Sequence, residues 1–398
     1  MPLVVFEKQR AFFDIITDQV KHPRLLTKAR AWPVSRVCYG VILLKLILYL
    51  VAWGRSATLR AEYYQDSRPH VDFSRILPPL RSLASYDALW YLELVSHGYS
   101  PGRESGAFYP AWPLLLKLLG CADSGWSPVI AAGCSTLLWA MGIGVLFRWC
   151  SATFSGVTAW SVVLANLLLP SSMTFWIGFT ESLFFFLYAC LLAFSSGSKP
   201  WVAWGSAFLL SLTRPVGIFL MIIPAIGWLV GARRRFSAAC VLAFLAGWIV
   251  YFVVMWACLG HPLAGWEAQK LHVNQPSLRY VTDIPKFLKS FVHITSFHDP
   301  TGSFLDRLMF VGSFWGIVRL WQWQPAWCLA TAAMLLIPAM TNQFLSFSRF
   351  TVVAIPLLFP MGELLLKMPF PWLMGWILLA MAAQYYLMSQ YFSSGWGT

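Results

Sequence analysis

Leu183-Phe184-Phe185-Phe186-Leu187, like Val41-Ile42-Leu43-Leu44 far upstream, decides the fold, because neither run alternates. A strand of a membrane β-barrel would place apolar and polar residues in turn. Repeated continuous apolar runs of spanning length read instead as transmembrane helices. The whole chain agrees: of 398 residues 58% are hydrophobic, with 22 Trp and 30 Phe. Only 11% are charged, against about 25% in soluble domains, and the mean hydropathy is +0.63. The expected fold class is an all-α polytopic membrane protein.

The net charge of +13 fits a membrane protein, since Lys and Arg collect in cytoplasmic loops. A nucleic-acid partner would need a soluble basic face, and none is expected. The eight Cys are scattered, mostly inside apolar runs, and read as small core residues rather than a zinc site or a disulfide framework. Residues 1–35 carry Lys8, Arg10, Lys21, Arg24, Lys28 and Arg30, too long and polar for the basic start of a cleavable signal peptide. Within them, Val4, Val5, Phe12, Phe13, Ile15 and Ile16 stand among charges, the pattern of a helix lying on the cytoplasmic membrane surface. Residues 36–398 then form one transmembrane domain.

With the amino terminus cytoplasmic, the span at 36–54 exits to the far side. The run at 108–120 is short, contains Pro110 and Pro113, and reads as a re-entrant or surface helix inside a long first extracytoplasmic loop, 55–125. Spans follow at 126–148, 156–171, 180–196, 200–213, 215–231 and 238–259. Beyond a second extracytoplasmic loop, 260–306, come 307–323, 326–343, 348–366 and 370–392. These eleven spans leave Arg148, Lys199, Arg233-Arg234-Arg235, Arg319 and Lys367 at cytoplasmic ends. They place Asp87, Glu104, Glu181, Arg214 and Arg349 at the opposite edge. Ionisable residues at membrane depth are costly and mark function, so their shared side predicts one site facing away from the cytoplasm.

The chain holds no GxGxxG after a strand and no GxxxxGK[ST], so no nucleotide device is expected. A group-transfer enzyme at that face takes its donor from within the membrane, and a lipid-phosphate-linked sugar meets this need. Such a transfer requires a carboxylate to accept the proton of the attacking hydroxyl and cations to stabilise the departing phosphate. Asp87, in Tyr86-Asp87-Ala88-Leu89-Trp90-Tyr91, is the candidate base; the alternative is a helix N-cap. Glu104 is a candidate for orienting acceptor or base, or a loop residue paired with Arg103. Glu181 is a substrate-binding candidate or a first-turn acid favoured by the helix dipole. Arg214, before the helix-breaking Pro215, and Arg349 are phosphate candidates or side chains reaching for the interface. Tyr99 and Tyr109 of the first loop, with His261, Gln269 and Lys270 of the second, complete the substrate-binding set. His261, His272, His293 and His298 lack compact metal spacing such as HExxH, so neither a metal nor another cofactor is expected.

Tyr86-Asp87-Ala88, Gly98-Tyr99, Glu104 and Ala107-Phe108-Tyr109-Pro110-Ala111-Trp112-Pro113 together resemble the PIG-V-type mannosyltransferases. Thr180-Glu181-Ser182-Leu183-Phe184 and Thr213-Arg214-Pro215-Val216-Gly217 are similar to later motifs of that family, and Gly260-His261-Pro262-Leu263 with Gln269 to a loop of its bacterial members. The matches run in family order from about 86 to 350. Tyr86 stands where the family usually has Trp, and Pro215 where it often has Ser. The resemblance implies a bacterial inner-membrane glycosyltransferase of the GT-C type, using polyprenyl-phosphate mannose with inversion. Asp87 then occupies the loop aspartate, and Glu181 and Arg214 the later polar positions. The acceptor would be a lipid, glycan or protein hydroxyl. A transporter or lipid flippase is the competing class, although the acidic motif near 87 has no counterpart near 280.

Overall fold

In the computed structural model, residues 34–56, 71, 73–122, 124–195, 199–269, 277–298, 302–341, 344 and 346–393 are described. Most of the expected surface segment at 1–35 lies outside them. The helices are α1 (Val34–Ser56), α2 (Pro78–Arg81), α3 (Asp87–His97), α4 (Ala111–Leu118), α5 (Ser127–Thr153), α6 (Gly156–Leu168), α7 (Glu181–Phe194), α8 (Pro200–Thr213) and α9 (Ile222–Leu229). The second half holds α10 (Arg234–Leu259), α11 (Ala264–Ala268), α12 (Arg279–Thr282), α13 (Ile284–Val292), α14 (Phe304–Trp323), α15 (Pro325–Ala339), α16 (Phe347–Val353), α17 (Leu358–Lys367) and α18 (Phe370–Ser393). No strand occurs among the described residues.

Among the described residues four helices, α1, α5, α10 and α18, are long and apolar enough to cross a membrane. The count becomes six if two bent pairs each form one span: α6 with the 3-10 helix Pro170–Trp176, and α16 with the segment Ile355–Lys367. The protein is therefore a multi-pass helical membrane protein. The continuous apolar windows at 156–171 and 348–366 hide bends of 89° and 79°. Pro170 and Pro356 begin new turns there, where a missing N–H interrupts the helical ladder. The run at 108–120 condenses into the eight-residue α4, too short to span.

A bend inside a membrane frees carbonyls that must find donors. At the α6 break, Gln384 of α18 donates its amide to the Leu167 and Leu169 carbonyls at 2.8 and 3.1 Å. Lys45 of α1, wholly buried, donates to Ser172 Oγ at 2.6 Å and reaches the Leu167 carbonyl at 3.5 Å. Tyr49 donates to Gln384 Oε1 at 3.0 Å. The same three segments thus tie together polar groups that none could satisfy alone.

The apolar run Leu183-Phe184-Phe185-Phe186-Leu187 belongs to α7, which lies at the centre. Phe184, Phe185 and Tyr188 are fully buried, so α7 is apolar all round because protein surrounds it. It packs between α5 and α8, and α8 in turn against α10. Small residues permit close crossings: a Cβ at Gly247 of α10 would strike the Phe208 carbonyl of α8. Cys38, Cys121, Cys150, Cys190, Cys240 and Cys328 are buried and unpaired, as expected of core residues.

Candidate functional site

Two carboxylates and two guanidinium groups, from four distant segments, meet at one point. Asp87 is the first residue of α3 and Glu181 the first of α7. Arg214 follows α8 in extended conformation, φ −155° and ψ 152°, and Arg349 lies in α16. Arg349 Nη2 is 2.7 Å from both Asp87 Oδ2 and Glu181 Oε1, and its Nε donates to Glu181 Oε1 at 2.7 Å. Arg214 Nη1 lies 2.9 Å from the same Glu181 oxygen. Glu181 Oε2 is buried without a hydrogen-bond partner.

The four charges sum to zero, and the two helix N-termini add partial positive charge. Each guanidinium also covers an aromatic face: Arg349 sits 4.4 Å from the Phe179 ring centroid and Arg214 4.6 Å from that of Phe350. Access is one-sided. The Glu181 side chain is 0% exposed, whereas those of Asp87 and Arg349 are 23% and 16% exposed. Glu181 backs the cluster, while Asp87 and Arg349 form its open edge. The N-cap alternative for Asp87 does not hold, because the cap position belongs to Tyr86, without a side-chain cap bond.

Backbone strain surrounds this edge. Among the described residues, four non-glycine residues have positive φ, and three of them precede Asp87 or Arg349 closely: Tyr86 (52°), Phe344 (57°) and Ser346 (56°). Such conformations persist only where surrounding contacts impose them. Tyr391 of α18 supplies these at the first site: its ring stacks on Tyr86 at 5.5 Å, and its hydroxyl accepts from the Ser85 N–H at 3.3 Å. At the second, the buried Asp306 of α14 accepts from the Ser348 N–H at 2.7 Å. Behind Gly217, the segment after Arg214 folds so tightly onto α8 that a Cβ there would collide with the Leu210 carbonyl.

A second group forms beside the first. Tyr99 donates to the Phe108 carbonyl at 2.7 Å, and burial raises its phenol pKa well above the ordinary value. Tyr109 stacks on Tyr251 of α10 with ring centroids 4.2 Å apart. Gln269 donates to the Ala107 carbonyl at 3.0 Å, closing the 3-10 helix Glu104–Ala107, which Glu104 begins, against α11. Arg103 pairs with the buried Glu93 at 2.6 Å. His261 is exposed and belongs to neither group; its Nδ1 accepts from the Leu263 N–H at 3.3 Å and lies 4.0 Å from Glu267 Oε1. Lys270 lies outside the described residues.

Tyr91 joins the two groups and is the residue that motif reading passed over. It follows Asp87 by one helical turn, so both side chains leave the same face of α3. Its ring meets Phe108 edge-on at 5.1 Å. Burial raises its phenol pKa, with Asp87 and Glu181 acting the same way and Arg214 and Arg349 opposing them. That spacing was the available signal. Tyr391, Asp306 and Glu93 had none, because their contacts reach across the fold or run against a loop.

Among the described residues no group of three or more His, Cys, Asp or Glu is arranged to hold a metal. Comparison with protein-family models finds no match for this chain, and comparison with curated proteins finds none.

Proposed function

We propose that this protein is an inverting, polyprenyl-phosphate-sugar-dependent glycosyltransferase of the inner membrane, with mannose as the sugar expected from its PIG-V-like motifs. In this reading the chain has a GT-C-like arrangement of eleven spans, several of them short or bent. Its amino terminus is cytoplasmic and the charged site opens on the other face. The observation that carries the proposal is the meeting of Asp87 and Glu181 with Arg214 and Arg349.

The chemistry follows from the geometry. Arg349 and Arg214 are the cations available to a donor phosphate, which binds best where guanidinium forks and helix N-termini coincide. When phosphate draws Arg349 away from Asp87, the carboxylate is left without its guanidinium partner and open to the acceptor hydroxyl. The acceptor hydroxyl oxygen then attacks the anomeric carbon from the face opposite the phosphate. Its proton passes to Asp87, the carbon–oxygen bond to phosphate breaks, and the released charge is taken up by the two arginines. Glu181 stays buried and keeps both guanidinium groups in place while Arg349 changes partner. Tyr99, Tyr109 and Gln269 shape the adjoining wall for acceptor or sugar.

Purified protein given radiolabelled polyprenyl-phosphate mannose and a native membrane-lipid extract should form labelled product. Asp87→Asn should abolish it without loss of expression. Full activity in Asp87→Asn removes Asp87 as base. A substrate that crosses proteoliposomes without forming product replaces the transferase reading by transport.

A further inference from the structure

Sequence alone marks the loop at 260–306 as polar, yet it contains a helix with two apolar sides. α13 is capped by Asp283, whose Oδ1 accepts from the Lys286 N–H at 3.1 Å, and Pro285 occupies its first turn. Its inner side carries Phe287 and Phe291, whose rings lie 5.8 and 6.0 Å from Phe310 of α14 and 5.5 and 5.8 Å from Phe344. The buried Arg307 holds its far end, donating from Nη2 to the Ser290 carbonyl and from Nε to the Phe291 carbonyl at 2.7 and 2.8 Å. The helix is therefore clamped in one orientation. That orientation turns Ile284, Leu288 and Val292 outward, 57, 53 and 70% exposed. These positions recur every four residues and form one stripe. Lys286 and Lys289 are also exposed, on the side of the helix turned from the stripe, with the Lys286 amine 4.7 Å above the Tyr280 ring.

We infer that α13 docks on the phospholipid surface in the plane of the bilayer, with its outer stripe in the boundary between headgroups and acyl chains and its lysines toward lipid phosphate. An apolar stripe beside a basic flank is the pattern of an interfacial helix. Charge favours this occupant: the stretch 277–294 carries Arg279, Lys286 and Lys289 against Asp283, and Asp283 is engaged with the helix N-terminus. Size argues against a protein partner. Three aliphatic side chains on nine residues fall well short of the ~800 Å² per side that a stable protein interface buries. Continuity favours lipid as well, because Phe304, Leu308 and Val311 of α14, the helix on which α13 rests, are also exposed and apolar. The clamp sits next to the charged site: Arg307 holds α13, and its neighbour Asp306 holds the turn that bears Arg349.

The test uses the full chain in lipid nanodiscs and does not depend on sugar transfer. Cys258, the exposed cysteine, is replaced by Ser. Leu288→Cys or Lys286→Cys is then added and labelled with an environment-sensitive fluorophore, with Cys258→Ser alone as background. The label at 288 should emit at shorter wavelength and be quenched by brominated acyl chains, while that at 286 keeps its aqueous emission. Phosphatidylglycerol should deepen the quenching at 288, and Lys286→Gln with Lys289→Gln should remove that increment. Aqueous emission at both positions overturns the inference. Short-wavelength emission at 288 without bromolipid quenching also overturns it, since protein then covers the stripe, as a second copy or another partner would. A phosphatidylglycerol increment that survives both lysine substitutions overturns the role given to the lysines.

Discussion

The cluster of four charges makes a quantitative demand that a double-mutant cycle can meet. Glu181→Gln preserves volume and an acceptor oxygen but removes a charge that contacts Arg349 Nε and Nη2 at 2.7 Å and Arg214 at 2.9 Å. Hydrogen bonds to charged groups contribute about 1.5–3 kcal/mol each and neutral ones about 0.5–1.5. Losing the charge at these three contacts should therefore cost about 3–4.5 kcal/mol, within the range for breaking a buried pair. Arg349→Met removes the other side and leaves Asp87 and Glu181 facing Arg214, a net charge of −1. The double variant is neutral again, with the introduced amide beside Arg214. Because each single change strands a charge that the double change does not, the sum of the single losses should exceed the double loss by about 1–3 kcal/mol, the coupling typical of contacting residues. Equilibrium unfolding of all four proteins in one detergent, followed by tryptophan fluorescence, gives the cycle. Additivity within about 0.5 kcal/mol, the behaviour of distant sites, would refute the pairing and with it the account of Glu181 as the anchor.

Four further substitutions probe three separate parts. Asp87→Asn should lower turnover by about 10²–10⁴-fold, the contribution of a positioned base, while donor affinity is kept or improved because Arg349 loses a competitor; weakened donor binding would contradict the shared role of Arg349. Gly217→Ala should destabilise by about 1–3 kcal/mol, as overpacking does, since its Cβ would meet the Leu210 carbonyl, and unchanged stability in thermal unfolding would argue against this turn. At the α6 break the signs should oppose. Gln384→Leu leaves the Leu169 carbonyl without its donor and should lower Tm, whereas Lys45→Met removes a buried amine while Ser172 still donates to the Leu167 carbonyl at 3.2 Å, and should leave Tm unchanged or raise it.

The fold class was readable because apolar runs without alternation admit few alternatives, and the four clustered residues because charge is scarce in such a chain. The expected parity of the spans assigns Asp87, Glu181, Arg214 and Arg349 to one face, and the structure brings the four into contact. Boundaries were less readable. An apolar window records residence in a non-aqueous environment but not the direction of the chain, so the bends after Leu168 and Val353 passed as straight spans. The second loop divides for a related reason. His261 and Gln269 share one motif, yet Gln269 turns to the Ala107 carbonyl and His261 to solvent, because α11 docks on the 104–107 turn instead of on the charged cluster. Tyr391 and Asp306 act across more than 40 residues of sequence, on Ser85 and Ser348, and only the fold brings those pairs together.

Neutrality of the cluster has a consequence for how it works. In the proposed mechanism the Asp87 oxygen that would take the acceptor's proton is occupied by Arg349 at 2.7 Å, and Arg349 is itself shared between two carboxylates. Neither Asp87 nor Arg349 is fit for its proposed task while the pair stands. A donor phosphate of the proposed kind would resolve both at once, since its unesterified oxygens would offer Arg349 an anionic partner and leave Asp87 free beside the opening. Arg349 does not leave the site in doing so, because Glu181 holds its Nε from behind and Phe179 holds its face. The fully buried Glu181 and the partly open Asp87 are thus two carboxylates with different work. On the proposed mechanism, one fixes the guanidinium, and the other would give it up to a donor phosphate.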